Sequence, residues 1–120
     1  MPSSFDDLAT ITSELHSAAY TLSEMTRDVA RARRIREHDG DRRKRALAVA
    51  VMQVLTTSPE CSAAMADYRA RASQEYAKAM KELGGDLQAA EKVIAQWEAA
   101  KVSWESWRSI LSIHKAIANL

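Results

Sequence analysis

Apolar side chains recur at alternating steps of three and four residues along the first quarter of the chain. They are Leu8, Ile11, Leu15, Ala18, Leu22, Met25, Val29 and Ala32. This spacing keeps one apolar seam on a single face of a helix, as in coiled coils. Glycine stands only at positions 40, 84 and 85 and proline only at 2 and 59, so few positions favour a break. The pattern predicts an all-α protein.

The few breaks predict where these helices begin and end. The seam stops after Ala32 because Arg36 and Asp39 occupy its next positions, so we expect a turn around Gly40 or, alternatively, a continuous but distorted helix. Ser58 and Pro59 are expected to begin a third helix as its N-cap and first residue. A left-handed cap at Gly84-Gly85 is expected to end it. The predicted helices span about 5–37, 42–57, 59–83 and 87–119.

Together these helices predict one domain over residues 1–120. Its expected architecture is an elongated antiparallel bundle, similar to a coiled coil, with three to four helices. Residues 46–55 are almost entirely apolar, which favours a segment covered on several sides. We therefore expect this stretch to be the most buried part of the molecule.

Composition and residue spacing exclude several classes of function. The formal net charge is +1 and Cys61 is the single cysteine, which is typical of a cytoplasmic protein without disulfides. No apolar run approaches the roughly 20 residues of a membrane span. The three histidines are scattered and no catalytic constellation is recognisable, so we expect no metal, no cofactor and no enzymatic activity.

The last predicted helix has an apolar face too broad for one neighbouring helix to cover. Tryptophan is a preferred anchor of protein interfaces, and isoleucines widen the face beside the tryptophans. The sequence therefore predicts homo-oligomer formation and a partner-binding surface. Alternatively, the tryptophans fill the bundle interior. The candidate partner-binding residues are Trp97, Trp104, Trp107, Ile110, Ile113 and Ile117.

A second candidate surface is basic. Residues 27–45 contain nine Arg or Lys and four acids, and the last four cations are expected in the first turns of a helix, where the dipole disfavours them. Phosphates would relieve that cost, by backbone contact because no aromatic residue lies in the segment. Alternatively, neighbouring acids neutralise the charge. The candidate nucleic-acid-binding residues are Arg31, Arg33, Arg34, Arg36, Arg42, Arg43, Lys44 and Arg45.

The chain resembles a class of known proteins in two segments. An alanine-rich helix that breaks at residues 57–60 and continues to Ala72, followed by a closing segment from Trp104 to Ala118, resembles small all-helical bacteriophage proteins of early or recombination gene regions. The resemblance implies a phage or prophage accessory protein in the host cytoplasm. The predicted function is a non-enzymatic helical interaction module that modulates a host or recombination protein. The alternative is a nucleic-acid-binding accessory factor.

Overall fold

The protein folds into three α-helices, according to a computed structural model that describes residues 4–120, with side chains from residue 7 onward. Helix α1 spans Ser4–Thr57, α2 spans Ala63–Arg71 and α3 spans Gln74–Ala118. The prediction of an all-α protein with three to four helices is confirmed. No helix of the described chain holds an apolar stretch that could span a bilayer.

The described residues fall into two compact units. Unit 1 combines α1 up to Ala30 with Lys92–Leu120, and unit 2 comprises Arg31–Glu91. Helices α1 and α3 run antiparallel in both. In unit 2, Arg36 lies 3.9 Å from Glu91, and Arg42 lies 3.2 Å from Asp86, which precedes Glu91 in the chain. In unit 1, Ile11 lines a depression with Trp107 and His114, and the later Leu15 lines another with Trp104 and Leu111.

The expected turn around Gly40 is wrong, and the alternative of a continuous helix is confirmed, because α1 runs through this position without interruption. The seam keeps its spacing beyond Ala32, and charged residues occupy it. Asp39 and Arg43 are only partly exposed, and the Arg43 Nε donates a 2.9 Å hydrogen bond to the Asp39 carboxylate. The Arg43 Nη1 also contacts the Met80 sulfur at 3.7 Å. A pair spaced i,i+4 suits a helix, so charge on the seam is accommodated without a break.

The expected cap at Gly84-Gly85 is also wrong. Both glycines lie within α3, and no described glycine has a positive φ. Neighbouring Leu83 is buried and Leu87 half-buried, so the apolar face of α3 runs through the pair. Tertiary contact on this face stabilises the helix against the low helix propensity of glycine.

The buried residues of unit 2 are mostly alanines. Ala50, Ala66, Ala70 and Ala90 are each at most 4% exposed. Small side chains allow helices to approach closely, but each removes little apolar area from water. In unit 1, Ile11, Val29 and Ile94 are the buried hydrophobic residues among those described.

The prediction that residues 46–55 are the most buried stretch is wrong. Ala50 is buried, whereas Val49 is 58% and Met52 63% exposed. An apolar helix segment can be covered only where another helix packs against it. The outward side of this stretch has no such neighbour among the described residues.

Pro59 ends α1 but does not begin α2. Proline has no backbone N–H to donate to the preceding turn of α1, and the helix ends at Thr57. The amide of Cys61 donates a 3.1 Å hydrogen bond to the carbonyl of Ser58, so Pro59 takes the second position of a turn, which its fixed φ favours. Helix α2 instead has Ser62 as its N-cap, with the side chain accepting from the amide of Met65.

Ser73 separates α2 from α3 at a break that the sequence pattern did not reveal. Its hydroxyl donates a 2.7 Å hydrogen bond to the Ala70 carbonyl at the end of α2. The same oxygen accepts from the amide of Tyr76 at 3.2 Å, which is the geometry of an N-cap for α3. One side chain therefore satisfies backbone groups of both helices.

Replacing Ser73 by alanine should lower the free energy of unfolding by about 1 kcal/mol, the usual cost of losing an N-cap. Chemical denaturation followed by circular dichroism measures the change. Ser13→Ala is the matched control, because Ser13 is exposed within α1 and alanine favours helix there. Equal unfolding midpoints for Ser73→Ala and the wild type would contradict the capping role.

Candidate interaction surfaces

The tryptophans of α3 lie on the side of the helix that faces α1. Trp97, Trp104 and Trp107 are all half-buried. Trp104 lines a depression with Leu15, and Trp107 lines another with Ile11. The Arg108 guanidinium lies 4.7 Å from the centre of the Trp104 ring, and the Lys101 ammonium lies 5.4 Å from that of Trp97. Basic side chains therefore cover ring faces that α1 leaves accessible.

The isoleucines predicted to bind a partner lie beside Trp107, at the edge of the contact between α3 and α1, where they line a depression with Thr10 and Ile11 of α1. Ile110 is 42%, Ile113 60% and Ile117 63% exposed, and Leu120 follows at the end of the chain fully exposed. Their spacing of three, four and three residues repeats that of a helix-pairing seam. Helix α3 thus has two neighbouring apolar seams: one packs against α1, and the other borders that contact but stays largely exposed.

The exposed seam belongs to a face of α3 without a charged side chain. We call it the α3 apolar face. At 100° per residue, Arg108 and Lys115 point to other sides of the helix, and Glu105 lies at the edge of the face, about 20° from Ala116. All its members are exposed, and at 1.5 Å per residue it extends about 27 Å. They are Val102, Ser103, Ser106, Ser109, Ile110, Ile113, Ala116, Ile117 and Leu120.

The structure sorts the basic candidates into paired and exposed cations. Arg36 and Arg42 form ion pairs with Glu91 and Asp86 of α3, and Arg43 pairs with Asp39 within α1. Arg33 also has an interaction partner. The remaining four, Arg31, Arg34, Lys44 and Arg45, are exposed and form no ion pair within the described residues.

The helix dipole does not act on the basic residues 42–45. Arg42, Arg43, Lys44 and Arg45 were expected in the first turns of a helix, but they lie in the interior of α1. The dipole acts within the first and last turns only, so it imposes no cost here. An anionic partner is therefore favoured only by the exposed cations that form no ion pair.

Sequence reasoning also missed exposed apolar positions in unit 2, among them Val49 and Met52. Val49 and Met52 line a shallow depression with Ala48 and Gln53 on α1. Their spacing of three residues places them on one face of the helix. The signal was obscured because apolar residues surround them on every side in the sequence.

The described residues bring together no group of three His, Cys, Asp or Glu side chains that could hold a metal ion. Cys61 is half-buried in the loop after α1, and His16 and His38 are exposed. Comparison with protein-family models, curated proteins and solved structures finds no match.

Proposed function

We propose that the protein is a non-enzymatic helical interaction module that assembles through the α3 apolar face. The observation that carries this proposal is the second heptad-spaced seam on α3, whose isoleucines are 42–63% exposed. Fully burying one exposed side chain of this size contributes about 1.5–3 kcal/mol. The three isoleucines, in proportion to their exposure, and the fully exposed Leu120 therefore supply a driving force for association.

The absence of charge on this face favours a protein partner over solvent. Charged residues are depleted in the centres of protein interfaces because their desolvation is costly. The serines and Ala116 between the large side chains are small, so a second helix can approach closely. The face therefore resembles the packed side of a helix more than a solvated one.

The occupant that we propose is a second copy of this chain, paired antiparallel along α3. A second copy offers a seam with the same spacing, and two uncharged faces meet without like-charge repulsion. The resemblance implies a phage or prophage protein that acts on a host or recombination protein. We include this role in the proposal, as the function of the assembled protein.

Light scattering coupled to size-exclusion chromatography tests the proposal. At about 100 µM, where micromolar interfaces are occupied, the wild type should have twice the 13.3 kDa mass of one chain. Ile113→Glu/Ile117→Glu should have the mass of one chain with unchanged helix content, because it places charges in the contact.

Val49→Glu/Met52→Glu is the matched control for this experiment. It also replaces two exposed apolar residues by glutamates, but on α1 in unit 2, and should retain the mass of the wild type. A wild type that stays monomeric would overturn the proposal. Equal dissociation of both variants would overturn the assignment to α3.

A further inference from the structure

A row of exposed cations on α1 is left over after the ion pairs of unit 2 have formed. We call Arg31, Arg34, Lys44 and Arg45 the α1 basic row. Arg36 and Arg42 pair with acids of α3, whereas these four are exposed. At 100° per residue, Arg31, Arg34 and Arg45 lie within about 60° of one another around α1, and Lys44 lies about 80° from Arg34. Unit 2 has twelve Lys or Arg and nine Asp or Glu, so the row adds to a net positive unit.

We propose that the α1 basic row binds the phosphate backbone of a nucleic-acid duplex. The row consists of two pairs of cations, Arg31 with Arg34 and Lys44 with Arg45. Twelve residues separate their centres along α1, which corresponds to about 18 Å. A major groove is about 12 Å wide, and arginine and lysine side chains are long enough for the two pairs to reach the phosphates on either side of it.

The acids on this side of α1 fit the same arrangement. Glu37 and Asp41 lie between the two pairs of cations and are exposed. Phosphates in contact with the middle of the row would be repelled by these carboxylates. A duplex that presents phosphates to both ends, with the open groove between them, avoids this repulsion. A single strand that follows the row would not avoid it.

Residue types in the α1 basic row argue against a membrane surface and against base stacking as its mode of binding. Helices that lie on membranes insert an apolar face among their cations, whereas the apolar residues between positions 31 and 45, Ala32 and Ile35, are buried and half-buried. No aromatic residue lies between positions 31 and 45, so bases have no stacking platform. Contact with the backbone alone makes binding insensitive to sequence.

Binding should weaken steeply with salt, because each phosphate contact releases condensed counterions. Four contacts predict a slope of about −3.6 in log affinity against log salt. Between about 50 and 200 mM salt the affinity should therefore fall roughly 10²-fold. The row lies in unit 2 and the α3 apolar face in unit 1, so failure of one proposal leaves the other standing.

The test is fluorescence anisotropy of the full-length protein with a labelled duplex of about 20 base pairs and with the corresponding single strand. Arg31→Gln/Arg34→Gln/Arg45→Gln should weaken duplex binding at least about 10-fold at low salt and reduce the slope to about −0.9. Lys78→Gln/Lys81→Gln/Lys92→Gln removes the same charge from exposed positions of α3 and should change the affinity less than about 2-fold.

Several outcomes would overturn this assignment. They are no duplex binding by the wild type at low salt, equal weakening by the two triple variants, and tighter binding to the single strand. Phosphatidylserine vesicles are a further arm, and binding to them as strong as to the duplex would reject a nucleic acid as the partner. Circular dichroism of each variant confirms that the helices are intact.

Discussion

Ile94→Asp is expected to unfold unit 1. Ile94 is 3% exposed within α3, and aspartate there removes a packed side chain and places a charge at a buried position. The combined cost is about 4 kcal/mol or more, a large share of the 5–15 kcal/mol that stabilises a typical domain. Thermal melting followed by circular dichroism should show loss of most helical signal at a much lower temperature than in the wild type.

Ile113→Asp is the control, because it makes the same chemical change on the same helix at a residue that is 60% exposed. At about 1 µM, where assembly adds little to the apparent stability, it should cost no more than about 1 kcal/mol. Equal melting temperatures for the two variants would show that the two seams of α3 have been assigned to the wrong sides.

Replacing Gly40, Gly84 and Gly85 together by alanine is expected to stabilise the protein. All three lie within helices, and a Cβ added at each would have no neighbouring atom within 4 Å. Alanine gains about 0.5–1 kcal/mol over glycine inside a helix. The triple variant should therefore gain about 2 kcal/mol in urea denaturation, and its melting temperature should rise by roughly 4 °C per kcal/mol.

The single glycine variants locate any exception. A glycine that capped a helix in the left-handed region would destabilise the protein when replaced, because alanine is strained there. Lower stability of Gly84→Ala or Gly85→Ala would support the turn that the sequence predicted at these two glycines. Lower stability of Gly40→Ala would do the same for the break in α1.

The seam from Ile11 to Ala32 was predictable, because it depends on local periodicity. Ile11, Val29 and Ala32 are buried and the positions between them are half-buried. Where the helices end was less predictable. A glycine pair indicates a break by its low helix propensity, yet contacts along the apolar face carry α3 through Gly84-Gly85. Ser73 is the reverse case. Its residue type does not indicate a break, yet its hydroxyl caps α3.

The candidate surfaces were predictable as sets of residues but not as geometry. The pattern grouped Trp97, Trp104 and Trp107 with the isoleucines that follow. Both sets recur with the spacing of a heptad, so the sequence does not tell them apart. Only the position of α1 decides which seam it covers. The same holds for the basic segment, where the paired and exposed cations differ only in whether an acid of α3 or of α1 lies within reach.

Helical content, the broad apolar face of α3 and the excess of positive charge in residues 27–45 were determined by the sequence itself, because they follow from which side chains stand at which spacing along one helix. Tertiary structure decided that α1 is continuous past Gly40, that Asp39 and Arg43 share its seam, and that Ile113 is exposed whereas Ile94 is buried. The physical reason is that burial and pairing depend on contacts between residues distant in the chain, and these contacts outweigh local preferences of a fraction of a kcal/mol to about 1 kcal/mol per residue.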